Sequence, residues 1–106
     1  MAVKHIESVS DFEKLKKKNK LVIVDFWATW CGPCRMLGPI FEEVSKDYEG
    51  KIEFVKIDVD EVSEVASEFN VMSIPSLFII KGDEIIDQKM GALTKAQLKI
   101  FIDENL

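Results

Sequence analysis

The chain has 106 residues, 47% of them hydrophobic, which predicts a single domain over residues 1–106 that buries its own core without metals or structural disulfides. Its 14 basic and 19 acidic residues give a net charge of −5, which argues against nucleic acid or an anionic membrane as a partner. No apolar run approaches the roughly 20 residues that span a bilayer, and residues 1–5 lack targeting features. We therefore expect a reducing, cytoplasmic location.

The first elements predicted along the chain are a strand, a helix and a second strand. A short apolar stretch over residues 3–6 indicates a strand, and Ser10 and Glu13 have the spacing of a capping box for a helix that runs to about Lys18. The run Leu21–Trp27 is too continuously apolar for a surface strand. It predicts a central strand covered on both faces of the sheet.

The next predicted helix begins near Pro33, which suits a first helical turn. Apolar residues then recur on one helical face, and Gly50 is expected to end the segment; these residues are Leu37, Ile40, Phe41, Val44 and Tyr48. Residues 52–59 are rich in β-branched and aromatic side chains and predict a strand. Asp60 is then expected to cap a third helix.

The last third of the chain predicts a hairpin and a final helix. Residues 76–81 and 84–90 are short apolar runs joined through Gly82-Asp83, and Thr94 is placed to cap a helix. The order is βαβαβαββα. Crossover connections favour parallel pairs and the hairpin an antiparallel one, so we predict an α/β fold with a mixed five-stranded sheet and four helices on both faces.

The only two cysteines lie in the segment Trp30-Cys31-Gly32-Pro33-Cys34, directly after the predicted central strand. A C-x-x-C pair in this setting is typical of a redox motif. Closing so short a loop stabilises a fold by roughly 2 kcal/mol in the loop-entropy model, against about 3 to 5 for longer loops, so a purely structural disulfide is disfavoured. A metal site is also disfavoured, since it needs about four ligands and the only histidine is His5.

The two thiols are expected to have different roles. Cys31 falls at the predicted helix N-terminus, where free backbone donors and the helix dipole favour a thiolate, so it is the expected nucleophile. Cys34 lies one turn further along and is expected to be more buried and protonated at rest. It would act as the resolving thiol that attacks the mixed disulfide formed by Cys31.

Asp25 is a carboxylate within the apolar central strand. Desolvation there should raise its pKa and make it a possible proton carrier. A buried aspartate satisfied by hydrogen bonds, with no role in turnover, fits the pattern equally well. Lys56 lies on the next predicted strand and is a candidate partner for Asp25, although its side chain could instead extend to solvent.

Together, residues 26–34, Asp25, the segment 73–76 and Gly91-Ala92 resemble the thioredoxin family, over nearly the whole chain. The resemblance implies the thioredoxin fold and a general protein disulfide reductase, in which Cys31 and Cys34 form a reversible disulfide. It also implies that Asp25 and Lys56 assist proton transfer and that Pro75 is held cis beside the thiols. The implied substrate-binding residues are Trp30, Gly32, Pro33, Ile74, Pro75, Gly91 and Ala92.

The same resemblance implies that disulfide-containing proteins are the substrates, and we expect a monomer, although the sequence itself does not disclose the oligomeric state. Re-reduction would come from a thioredoxin reductase, commonly a flavoprotein that uses NADPH, and no tightly bound cofactor or metal is expected. Three residues depart from the common family pattern: Met72, Asn70 and Ser76 stand where a basic residue, Gly and Thr are frequent. Asn70 tolerates positive φ, whereas the lost charge at Met72 bears on the choice of partner.

Two other functions use the same residues. A binding module could hold partners on this face without turnover, but the intact dithiol favours a redox carrier. An oxidase or isomerase of the same fold is disfavoured, because Gly32-Pro33 between the cysteines resembles the reducing members of the family. Fold alone does not separate these functions.

Overall fold

A computed structural model describes residues 3–106 of the chain, so the first two residues of the predicted domain lie outside the described part. The sheet has five strands in the order β1-β3-β2-β4-β5. The strands are β1 (Val3–Ile6), β2 (Leu21–Trp27), β3 (Glu53–Asp58), β4 (Ser76–Lys81) and β5 (Glu84–Met90). The α-helices are α1 (Val9–Lys17), α2 (Gly32–Ser45), α3 (Ser63–Glu68) and α4 (Lys95–Asp103).

The strand pairing matches the predicted mixed sheet. β3 pairs in parallel with both β1 and β2, whereas β4 pairs antiparallel with β2 and with β5. β2 lies in the middle, and within it Asp25 is opposite Lys56 on one side and Leu77 on the other. The candidate proton carrier is therefore held on the most enclosed strand of the sheet.

Alternate residues of β2 enter two separate cores, which is why its sequence is continuously apolar. Ile23 packs with residues of α2 and α4, including Phe41 and Phe101. Val24 packs on the other face with residues of α1 and α3, including Phe12. Helices thus cover both faces of the sheet, as the element order predicts.

The longest helix, α2, has 14 residues and contains Pro39. It ends at Ser45, and the predicted continuation to Tyr48 is a short 3₁₀ helix over Lys46–Tyr48. Gly50 follows with a φ of +80°, a value that glycine adopts without strain, so it ends the segment as predicted. Among residues 3–106, no helix has the combination of length and apolar character that crossing a membrane requires.

The start of α1 differs from the sequence prediction. Ser8 is the N-cap, and its hydroxyl accepts a hydrogen bond from the Asp11 N–H at 3.1 Å, whereas Ser10 lies inside the helix. Both serines precede an acidic or polar first turn, so the local pattern alone does not choose between them. The N-cap is therefore two residues earlier than predicted, because Ser8 has the extended backbone of a cap and Ser10 does not.

We expect Ser8→Ala to lower the free energy of unfolding by about 1 kcal/mol, because it removes the side-chain acceptor of the cap. Ser10→Ala is the matched control, and it should be neutral or slightly stabilising, since alanine is the better residue inside a helix. Urea denaturation of both variants measures the difference. Equal losses in the two variants would contradict the assignment of Ser8 as the cap.

The prediction that Asp60 caps the third helix is wrong. α3 begins at Ser63 after Val62, and no side chain caps it. The backbone N–H of Asp60 instead donates to the Asp58 carboxylate at 2.9 Å, in a turn that precedes the helix. The Asp60 carboxylate is occupied elsewhere, in the site described next.

Candidate active site

The two cysteines form a disulfide at the start of α2. Cys31 is the N-cap residue with an extended backbone, and Pro33 lies in the first turn, where its missing N–H costs nothing. The backbone N–H of Cys34 donates to Cys31 Sγ at 3.2 Å. The predicted position of Cys31 at a helix N-terminus is therefore confirmed, with a main-chain donor aimed at its sulfur.

The expected difference in exposure between the two cysteines is absent in this oxidised state. Cys31 is 5% exposed and Cys34 is 4% exposed. Both sulfurs pack in a small apolar cluster with Ala28, against Trp27, Val59 and Ile74. Position at the helix terminus, rather than exposure, is what distinguishes Cys31 here.

Ile74, the residue before Pro75, lies against the disulfide. The Ile74-Pro75 peptide bond is cis, as the family resemblance implies. The carbonyl oxygen of Ile74 is 3.8 Å from Cys31 Sγ. The Gly91 N–H donates to the Pro75 carbonyl at 2.9 Å, and Gly91 has a φ of +90°, which most residues avoid.

The other predicted substrate-binding residues are exposed to solvent and near the disulfide in the chain or next to Gly91. Gly32 and Pro33 are exposed in the first turn of α2, next to both cysteines in the chain. Ala92 is exposed and joins this surface as the neighbour of Gly91. Trp30 precedes the disulfide and is 66% exposed, which leaves a large apolar ring available to a partner.

Two polar contacts that hold the loop before Cys31 were not predicted from the sequence. The indole N–H of Trp30 donates to the Asp60 carboxylate at 2.8 Å. The guanidinium of Arg35 donates to the Thr29 carbonyl at 3.0 Å. An aspartate before a helical pattern gave only a capping signal, and nothing in the local sequence marks either contact.

Asp25 is buried, with 1% of its surface exposed. Neither carboxylate oxygen has a hydrogen-bond partner among the described residues. Burial raises the pKa of Asp25 to about 7, although the positive charge of Lys56 acts in the opposite direction. Burial therefore outweighs the charge of Lys56 in setting this pKa, and the described protein groups supply no hydrogen bond to the carboxylate.

The side chain of Lys56 neither pairs with Asp25 nor extends fully into solvent, the two possibilities that the sequence left open. It is half-buried, and its ammonium group is over the Trp27 ring, 4.6 Å from the ring centre. Such a cation–π contact stabilises the charge within the protein. The ammonium neither forms an ion pair with Asp25 nor extends fully into solvent, and its effect on Asp25 is electrostatic.

We expect Lys56→Met to raise the pKa of Asp25 above its value of about 7, because the favourable charge is removed while burial stays. The carbon-13 chemical shift of the Asp25 carboxyl, followed against pH, measures this change. Lys51→Met is the control, since it removes one positive charge from an exposed turn. A pKa that moves equally in both variants would show that net charge, not the local position of Lys56, is responsible.

Within residues 3–106, no three His, Cys, Asp or Glu side chains come together in a group that could hold a metal ion. The described residues place a disulfide at the start of α2, a buried carboxylic acid on β2 and an exposed indole ring directly before Cys31. A disulfide formed by a C-x-x-C pair at a helix N-terminus is typical of proteins that carry out thiol–disulfide exchange.

Comparisons with known proteins give the family. Residues 3–104 match the family model described as Thioredoxin, and the chain belongs to the thioredoxin family. A thioredoxin of Chlorobaculum thiosulfatiphilum is 49% identical over 88 residues, covering 83% of this chain and 82% of that protein. A thioredoxin of Pseudomonas aeruginosa is 41% identical over 105 residues, covering 96% and 97%.

Solved structures agree with the fold. A structure of Plasmodium falciparum thioredoxin has a TM-score of 0.90 at 42% identity and covers 97% of this chain and 99% of that one. A Malassezia sympodialis thioredoxin has a TM-score of 0.89 at 39% identity. With the Cys31–Cys34 disulfide in place, the chain is a thiol–disulfide oxidoreductase that reduces protein disulfides by dithiol–disulfide exchange.

Proposed function

We propose that Cys31 is the attacking thiol and Cys34 the resolving thiol of this exchange. The observation that supports this assignment is the Cys34 N–H directed at Cys31 Sγ at 3.2 Å, at the start of α2. A backbone donor and the positive end of the helix dipole both favour a negative charge on that sulfur. Only the thiolate is a nucleophile, so the sulfur at the helix N-terminus reacts first.

The reaction then proceeds in two balanced steps. The Cys31 thiolate attacks one sulfur of the substrate disulfide, forms a mixed disulfide and releases the other substrate sulfur as a thiolate. Cys34 then loses its proton and attacks Cys31 Sγ, which releases the second substrate thiol. Two electrons pass to the substrate, and the protein is left with the Cys31–Cys34 disulfide.

Asp25 is the proposed acceptor of the Cys34 proton. A pKa of about 7 lets it take up and return a proton near neutral pH, which is the condition for effective general acid–base catalysis. Lys56 assists by keeping that pKa from rising further. The burial of Asp25 on the central strand supports a proton transfer that is shielded from bulk water.

The proposed docking surface for the substrate contains Trp30, Gly32, Pro33, Ile74, Pro75, Gly91 and Ala92. Its main support is the Ile74 carbonyl, 3.8 Å from Cys31 Sγ, because an extended substrate segment lying along Ile74 would bring its cystine to that sulfur. The exposed Trp30 ring supplies apolar contact area beside it.

The proposed partners follow from the family. Disulfide-containing proteins are the substrates, and a thioredoxin reductase, a flavoprotein using NADPH, restores the dithiol, so no tightly bound cofactor is needed. We propose a monomer in the cytoplasm, where reducing conditions keep the dithiol available. The acidic net charge of −5 disfavours nucleic acid and anionic membranes as partners.

Reduction of insulin by dithiothreitol tests this function directly. Catalytic amounts of the protein should shorten the lag before the insulin B chain precipitates, whereas protein alkylated after reduction should leave the lag unchanged. A binding module without turnover would behave like the alkylated control. That result would refute the proposed role of the dithiol.

A further inference from the structure

An exposed methionine lies in each of the two segments that meet beside the disulfide. Met72 is 91% exposed and comes two residues before Ile74, the residue in contact with Cys31 Sγ. Met90 is 61% exposed and directly precedes Gly91. Single exposed apolar residues are common on protein surfaces, so what matters here is that these two lie in segments joined to each other and to the disulfide.

A side-chain contact joins these two segments. The hydroxyl of Ser73 donates to Met90 Sδ at 3.3 Å, so the residue after Met72 contacts the residue before Gly91. The Gly91 N–H is in turn bonded to the Pro75 carbonyl. We call Met72, Ser73, Ile74 and Met90 the methionine rim: the first three are consecutive in the chain, Met90 contacts Ser73, and the Ile74 carbonyl oxygen is 3.8 Å from Cys31 Sγ.

The segments that carry the methionine rim have no charge. Residues 70–77 and 90–94 contain no Lys, Arg, Asp or Glu, although 31% of the whole chain is charged. Lys89 is adjacent to Met90 in the chain, but alternation along β5 directs it to the opposite face of the sheet. A substrate residue that reaches Met72 or Met90 therefore meets thioether and alkyl groups, and these two segments supply no charged side chain to pair with it.

Methionine suits a surface that must accept many shapes. Its side chain is unbranched, flexible and polarisable, and methionine-rich surfaces bind varied apolar partners by repacking. An acidic substrate residue would lose water at this surface without gaining a partner. It would also be repelled by the net charge of −5 on the protein.

We propose that Met72 and Met90 are specificity-determining residues, which favour substrates with an apolar residue beside the cystine over substrates with an acidic one. This inference rests on the proposed docking surface and deepens it. The exchange chemistry at Cys31 is unchanged, and the methionine rim acts only on the substrate residue next to the reacting sulfur.

The test compares single-turnover rates of the fully reduced protein with three disulfides. Two are otherwise identical cystine peptides with Leu or Glu beside the cystine, and the third is hydroxyethyl disulfide, which is too small to cover the methionine rim. We expect the wild-type protein to reduce the Leu peptide about fivefold faster than the Glu peptide, as burial of some tens of Å² of apolar surface would produce. Met72→Lys should bring this ratio to 1 or below.

Two variants control for other effects. Ile100→Lys adds the same charge at a residue of α4 that is 58% exposed, and it should keep the wild-type ratio within about twofold. Met72→Leu should keep the ratio as well, because it preserves an apolar side chain. All proteins should react with hydroxyethyl disulfide at similar rates.

The outcomes separate this proposal from the proposed function. A wild-type ratio near 1, or equal ratios in Met72→Lys and Ile100→Lys, would overturn the role of the methionine rim while leaving the reductase function intact. Failure of the wild-type protein to react with any of the three disulfides would refute the reductase function itself.

Discussion

Cys34→Ser is expected to leave the protein covalently attached to its substrate. Cys31 can still attack a substrate disulfide, but no second thiol is available to release the mixed disulfide. Cys31→Ser should form no such adduct, because the remaining thiol lacks the N-cap position and its backbone donor. In both variants, insulin reduction should fall to the background rate of dithiothreitol alone.

Mass spectrometry under non-reducing conditions, after incubation of each reduced variant with insulin, measures the adduct. Ser45→Ala is a suitable control for the substitution procedure, since this buried serine of α2 is remote in sequence from the dithiol and should leave turnover unchanged. An adduct formed equally by Cys31→Ser would show that either thiol can attack. The assignment of roles to the helix N-terminus would then be wrong.

The regular elements were predictable because their signals are local. β2 occupies the predicted residues Leu21–Trp27, since an almost continuously apolar run of this length is typical of a central strand in an α/β sheet. The hairpin of β4 and β5 was predicted equally well, because Gly82 supplies the positive φ that its tight turn needs. Asn70 adopts a φ of +52°, as expected for an asparagine where glycine is frequent.

The helix starts were less predictable because several polar residues compete for them. Ser8 and Ser10 both suit an N-cap, and the choice depends on where the chain leaves β1. Asp60 has the residue type of a cap but binds the Trp30 indole from 30 residues away. Contacts at such separations depend on the assembled sheet, which local spacing does not describe.

In the candidate site too, local sequence signals were predictable and contacts between distant segments were not. The dithiol and the buried Asp25 were visible as sequence patterns, one in a short motif and the other as a charge in an apolar strand. The Ser73–Met90 and Trp30–Asp60 contacts were not visible, because each joins residues from different segments of the chain. The dithiol and the buried carboxylic acid were therefore easier to predict than the surface that selects the substrate.

Asp25→Asn is expected to stabilise the oxidised protein at alkaline pH and to have little effect below about pH 4. Burial raises the pKa of Asp25 from its ordinary value of 3.8 to about 7, so the folded protein holds a proton that the unfolded chain has released. Wild-type stability is therefore full below pH 3.8 and falls as the pH rises toward about 7. Each pKa unit is worth about 1.4 kcal/mol, so the loss is on the order of 4 kcal/mol.

The difference in unfolding free energy between Asp25→Asn and wild type, measured by urea denaturation from pH 3.5 to 9, isolates this one group. This difference should be small at pH 3.5, rise as the pH increases from 3.8 to about 7 and then level off. The reason is that the amide in Asp25→Asn carries no charge to desolvate at any pH. Glu61→Gln, which removes an exposed carboxylate, should give a nearly flat difference. A flat curve for Asp25→Asn as well would mean that the carboxylate finds solvation within the fold, and Asp25 would then lack the neutral pKa that its proposed part in proton transfer requires.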